Sequence, residues 1–176
     1  MTVVVVVLAV IAGAVAIQLL PSLGRGGSTY DPMVYTVALS SSQCSGSTCV
    51  AQLVASASLP QSATSGSHYS DLVILTNPSK STDYLTSVQL LGVSSNFTLF
   101  GTISVYYYIS QSEFNPDGTP VGTPAGSCAT VSVSGCQVFH GSQKIAAGAS
   151  QYIVVLVTEN GEEPEPVSLS LGVIWS

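Results

Sequence analysis

Charge is what this chain has least of. Of its 176 residues 7% are charged, and only three, Arg25, Lys80 and Lys144, are basic. Typical soluble domains carry roughly 25% charged residues. Three scattered cations exclude a surface that tracks nucleic-acid phosphates, and they argue against a basic patch for anionic lipid. The chain also lacks recognisable catalytic apparatus. Its two histidines, His68 and His140, stand alone. No G-x-S-x-G elbow, phosphate loop, dinucleotide fingerprint or CxxC pair is present. The sequence therefore points away from an enzyme and calls for no cofactor and no metal.

The shortage of charge is absolute at the N-terminus. The first twenty residues, MTVVVVVLAVIAGAVAIQLL, carry none, and between Val3 and Leu20 only Gln18 is more than weakly polar. Such a run reads as a signal peptide, a membrane anchor or an oligomerisation helix. A helix of that length spans about 30 Å, enough for a bilayer core. A cleavable signal opens with a basic n-region, and here the first basic residue is Arg25. A leader already removed just before Met1 explains that gap. Valine is a mediocre helix former, but lipid or a protein core overrides the penalty, because a helix satisfies its own backbone. Small residues allow close helix packing, and Ala9 and Gly13 lie four apart among Ala12, Ala14 and Ala16. The expected packing positions are Val3, Val6, Val7, Ala9, Val10, Ala12, Gly13, Ala14, Ile17 and Leu20. Pro21 disfavours helical geometry at Leu20, and Gly24, Gly26 and Gly27 supply a hinge.

The remainder is long enough for one domain with a sizeable core. The net charge of −6 comes from nine acids, four of them in the stretch 159–165, which reads as a solvated turn around Asn160-Gly161. A low-charge surface associates readily, and it fits a protein covered by neighbours or by sugars. Asn96-Phe97-Thr98 is the sole glycosylation sequon, since Pro78 disqualifies Asn77. Four cysteines fall in two local pairs, Cys44 with Cys49 and Cys128 with Cys136. Their even number and loop-like surroundings point to two short-range disulfides and an oxidising compartment. Mixed pairing between the two sets stays open.

From Pro32 onward the pattern is β. Met33, Tyr35, Val37 and Leu39 share one strand face. Further strands are expected over 48–59, 71–76 and 84–92, and through Ile103–Ile109, with Tyr106 and Tyr108 outward. NPDGTPVGTPAG is a loop. Residues 129–134 and 137–140 read as a hairpin closed near Gly135, and strands follow at 152–158 and 167–175. Eight or nine strands with turn signals between them define a sandwich. The expected class is thus α+β, an N-terminal hydrophobic α-helix before an all-β, Ig-like sandwich head. The boundaries fall at 1–21 for the helix, 22–29 for the hinge and 30–176 for the head.

An uncharged Val/Ala/Ile-rich start, a Pro/Gly joint and a Ser/Thr-rich β head together resemble archaeal type IV pilins, those of hyperthermophiles in particular. The phrases LTNPSKSTDYLTSVQLLG and KIAAGASQYIVVLV are similar to strand–turn–strand segments of that family. The resemblance implies an extracellular cell-surface filament, a homopolymer whose helices rest in the membrane before assembly and then form the filament core. Surface glycans, Asn96 among their sites, would coat it. A secreted filament joined by donor-strand exchange, like the TasA-like bundling pili, is the alternative, and it predicts an extended N-terminal region. A membrane-anchored binding domain is the third reading.

Overall fold

The computed structural model describes residues 17–19, 34–57, 68–93, 101–116, 118–130, 134–159 and 167–176. Within them the chain forms eleven strands: β1 Ile17–Leu19, β2 Val34–Ala38, β3 Cys44–Ser45, β4 Thr48–Ala57, β5 His68–Thr76, β6 Asp83–Val93, β7 Gly101–Tyr108, β8 Gly126–Thr130, β9 Ser134–Ile145, β10 Ser150–Glu159 and β11 Val167–Trp175. They build two sheets. Sheet A has the order β1-β2-β5-β10-β7-β8, and sheet B the order β3-β4-β11-β6-β9.

Alternation decides which residues enter the core. β2 turns Tyr35 and Val37 inward, with Leu39 just beyond it. β11 does the same with Leu169, Leu171, Val173 and Trp175, and lies between β4 and β6. Burying each such side chain contributes about 1.5–3 kcal/mol. β2 and β5 are parallel, whereas every other pairing is antiparallel. A parallel pair needs a crossover. Here the chain leaves sheet A after β2, lays β3 and β4 into sheet B, and returns as β5 beside β2.

Two expectations are corrected. The class is all-β, not α+β. Ile17, expected on the packing face of a helix, begins β1 and pairs with Val37. Among the described residues the helical turns are two 3-10 turns of three residues each, at Ser41–Gln43 and Gln111–Glu113. The ladder edge of β2 gives Ile17–Leu19 hydrogen-bond partners, and tertiary pairing outweighs a weak helix propensity there. Val3, Val6, Val7, Ala9, Val10, Ala12, Gly13, Ala14 and Leu20 lie outside the described residues, as do the hinge residues Pro21, Gly24, Gly26 and Gly27.

The expected hairpin near Gly135 is the second correction. β8 pairs with β7 in sheet A, while β9 pairs with β6 in sheet B. Residues 126–145 therefore pass from one sheet to the other and close one side of the sandwich. A single side-chain period cannot distinguish a hairpin from a sheet-to-sheet corner. Where β9 enters sheet B it approaches β6 closely, and glycine allows it: a Cβ on Gly135 would collide with the Leu90 carbonyl oxygen.

Gly135→Ala is accordingly expected to cost about 1–3 kcal/mol through overpacking against fixed backbone. At Gly172 the nearest atoms a new Cβ would meet belong to the Leu91 side chain, the first at 3.2 Å, and Leu91 is exposed enough to shift. Gly172→Ala should therefore lose less than Gly135→Ala in urea denaturation, and equal losses would contradict the backbone clash.

Candidate interaction surface

Both cysteine pairs form within themselves. Cys44–Cys49 joins cross-strand partners of the β3–β4 hairpin. Cys128–Cys136 links β8 to β9 with a Cα separation of 6.1 Å, so it staples the two sheets at their closed side. The expected glycosylation residue, Asn96, lies outside the described residues.

Asn77 is fully buried between two turns. Its Nδ2 donates to the carbonyls of Ser81 at 2.9 Å and Ile145 at 3.0 Å, and its Oδ1 accepts from the Ser79 amide at 2.9 Å. Its own amide donates to the Ala149 carbonyl at 3.0 Å, and its carbonyl accepts from the Gly148 amide at 2.8 Å. The turn after β5 and the turn before β10 thus share one side chain. These turns lie in LTNPSKSTDYLTSVQLLG and KIAAGASQYIVVLV, and their meeting at Asn77 had no signal in linear spacing beyond an Asn-Pro turn.

A second buried polar link crosses the core. The Tyr107 hydroxyl donates to Gln151 Oε1, and Gln151 Nε2 donates to the Lys144 carbonyl at 3.0 Å. Sheet A is thereby tied to β9 of sheet B. Burial, reinforced by Glu113, raises the Tyr107 phenol well above its usual range. Next to it, burial pushes Tyr108 up to about 12, with smaller contributions from Tyr106 and Glu113. Tyr108 points outward, as expected, yet is fully buried: the Phe114 ring caps it at 5.1 Å.

His140 is exposed on β9, whereas His68 begins β5 in the other sheet. Among the described residues no three His, Cys, Asp or Glu come together as a metal-holding group. No helix among them is long and apolar enough to cross a membrane. An open cleft of about 540 Å3 lies beside the Cys44–Cys49 hairpin, lined by Ser40, Ser41, Ser79, Ser81, Asp83 and Trp175. It offers hydroxyls and one carboxylate, which burial holds above its ordinary value. Its hydroxyls can donate and accept hydrogen bonds, and the Asp83 carboxylate can accept them.

The distinctive surfaces are the outer faces of the sheets. On sheet B, Gln52 Nε2 donates to Ser170 Oγ at 2.9 Å and Gln89 Nε2 to Gln137 Oε1 at 2.8 Å. On sheet A the outward positions of β5 and β10 are Leu72, Ile74, Tyr152, Val154 and Leu156. The sequence carried this signal in its unbroken apolar runs, LVIL and YIVVLV, because a strand that is apolar on both faces loses its alternation.

No family model matches the chain, and no curated protein matches it. Among solved structures, the infectious bursal disease virus VP2 subviral particle aligns at 12% identity over 90% of this chain and 37% of that one, with a TM-score of 0.25. The structure of the infectious bursal disease virus Gx strain aligns at 14% identity over 89% and 36%, with a TM-score of 0.19. This chain spans little more than a third of either. Scores of that size establish no common fold and assign no function.

The tyrosines give a pH signature. Their folded-state pKa values are raised, so their stabilisation is complete below the unfolded value of about 10 and is lost as pH rises through the folded values. Between pH 10 and 12 the melting free energy should fall by up to about 1.4 kcal/mol per pH unit for each buried phenol. In Tyr107→Phe that alkaline slope should shrink, and the loss of the Gln151 hydrogen bond should lower stability at pH 7 by about 1 kcal/mol. An unchanged slope would show that Tyr107 does not stay protonated longer in the folded chain.

Proposed function

We propose that this chain is a structural subunit of an extracellular filament, a homopolymer joined through its N-terminal apolar segment. Two intrachain disulfides fit an oxidising compartment. A surface with few charges fits a protein that spends its working life against other copies. Sugars on Asn96 and on the abundant hydroxyls would cover what neighbours leave open.

The observation that carries the reading is the state of Ile17–Leu19. These residues end the apolar run, and they are extended and paired to the edge of sheet A. The segment is therefore continuous with a β-sheet at its C-terminal end. That favours copies joined by extended segments, the donor-strand kind of filament, over a bundle of helices. An edge strand is a ready template for pairing with another chain, and β-augmentation converts such an edge into a joint.

The test is electron microscopy of the purified full-length chain, together with Val6→Asp and Ala12→Asp. Wild type should form filaments. Both variants should lose them while the head keeps its near-UV circular dichroism and both disulfides. Normal filaments from Val6→Asp would overturn the role of the segment. A monodisperse wild-type protein that partitions into detergent would replace the filament with a membrane-anchored binding domain.

A further inference from the structure

At one end of the sandwich the chain passes twice from sheet A to sheet B. Residues 39–43 join β2 to β3, and residues 77–82 join β5 to β6. β2 and β5 run parallel and end side by side, and just beyond them the Leu39 amide donates to the Thr76 carbonyl at 2.8 Å. Both connections line the open cleft of about 540 Å3. Each is held by bonds of its own. On one side the Ser40 amide donates to Gln43 Oε1 at 3.2 Å and the Ser42 amide to Ser40 Oγ at 3.3 Å, and the Cys44–Cys49 disulfide fixes the hairpin that follows. On the other, Asn77 holds the Ser79 amide and the Ser81 carbonyl. A site whose walls are already fixed avoids much of the ordering cost of binding.

The polar groups of the lining keep hydrogen-bonding capacity for a ligand. Ser41 and Ser47 are exposed, and their hydroxyls have no partner among the described residues. Asp83 is half-buried, and its carboxylate has neither a hydrogen-bond nor an ion-pair partner among them. Burial holds that carboxylate above its ordinary value. No lysine or arginine lines the cleft, so an anionic ligand would meet only the charge of Asp83. An ammonium ligand would suit Asp83, but it only donates and offers the serine protons no acceptor. A neutral polyhydroxyl ligand answers every group: paired hydroxyls donate to the carboxylate, and others both donate to and accept from serine. Leu39, Pro78 and Trp175 complete the lining with apolar atoms, against which the C–H face of a sugar ring loses water. The volume lies within the roughly 300–1,000 Å3 usual for small-molecule sites.

We infer that this cleft is a binding site for a neutral saccharide, with Asp83 accepting hydrogen bonds from a pair of sugar hydroxyls and with Ser41 and Ser47 bonding to others. The inference goes beyond the filament reading and does not depend on it, since every residue of the cleft belongs to one chain. The same chemistry recognises a glycan carried by another copy of this chain and a glycan of a foreign surface.

Trp175 is the sole tryptophan of the chain and lines the cleft, so its fluorescence reports occupancy there. The test titrates the full-length chain with maltotriose, mannotriose, cellotriose and chitotriose, and with trigalacturonate and spermidine as anionic and cationic contrasts. Saturation-transfer-difference NMR, which tolerates polymers, checks contact with each probe. At least one neutral trisaccharide should shift Trp175 emission saturably and show saturation transfer, and the two contrasts should do neither. Asp83→Asn should weaken that binding by about tenfold or more, because hydrogen bonds to a charged acceptor are the stronger kind. Ser81→Tyr, which fills the cleft from an exposed position, should abolish it, while Ser142→Tyr, exposed on β9, should leave it unchanged. Unchanged melting temperatures separate loss of binding from loss of fold. Chain made without glycosylation separates the two sources: tighter binding than by the glycosylated chain marks a glycan of the chain itself as the occupant, and equal binding marks a foreign one. Sugar binding that survives Ser81→Tyr, or saturation transfer without a Trp175 response, would overturn the site. Silence towards every neutral trisaccharide, or tighter binding of either contrast, would overturn the ligand class.

Discussion

Two strands at the centre of sheet A are apolar on both faces, and the rest of the molecule is arranged around that constraint. Inward, β5 and β10 send Val73, Leu75, Ile153, Val155 and Val157 into the core. Outward, they present Leu72, Ile74, Val154 and Leu156. One sandwich can cover only one face of such strands. The inner face is met by sheet B. The outer face is partly met by the loop after β7, where Phe114 packs on Tyr108 at 5.1 Å and on Tyr152 at 5.7 Å. That loop is held by Glu113, which accepts from the Ile109 and Ser110 amides at 3.0 and 2.9 Å.

Inside the sandwich the same economy of charge governs the polar groups. With so few ionisable residues, the core is braced by neutral amides and a phenol. Asn77 satisfies its amide with three backbone groups, and Gln151 joins the Tyr107 hydroxyl to the Lys144 carbonyl. Neutral links of this kind carry less desolvation cost than buried ion pairs. They are also directional. Each fixes the relation of two turns or two sheets that hydrophobic packing alone would leave free to slide.

The legible part of the fold was the part that period-2 alternation encodes. Val167–Trp175 and Ile103–Tyr108 declare their inward residues, and the cysteine pairs declared two local loops. What alternation cannot encode is which sheet a strand joins. Residues 126–145 show this: two short strands around a glycine look like a hairpin, yet they split between sheets because β7 and β6 offer separate edges. The N-terminal run failed differently. Its composition satisfies a helix in lipid and a strand at an edge alike, and only the partner decides. For Ile17–Leu19 the partner is β2. The candidate surface was written in LVIL and YIVVLV, but as runs without alternation, which by themselves mark burial and not the identity of what covers it.

The scarcity of charge then acquires a direction. A uniformly apolar, uncharged surface would associate without geometry and precipitate. Here apolar positions lie on both outer faces: Leu72, Ile74, Val154 and Leu156, buried or half-buried, on sheet A, and the exposed Val50, Val54, Tyr84 and Leu91 on sheet B, among the Gln52–Ser170 and Gln89–Gln137 pairs. Hydroxyl and amide side chains keep that face wet without adding repulsion between copies of the same chain. A net charge of −6 on 176 residues leaves little repulsion between copies, which the proposed polymer requires. On sheet B the bonded amide and hydroxyl side chains thus stand among exposed apolar ones, and they keep water on a face that its composition alone would leave prone to association.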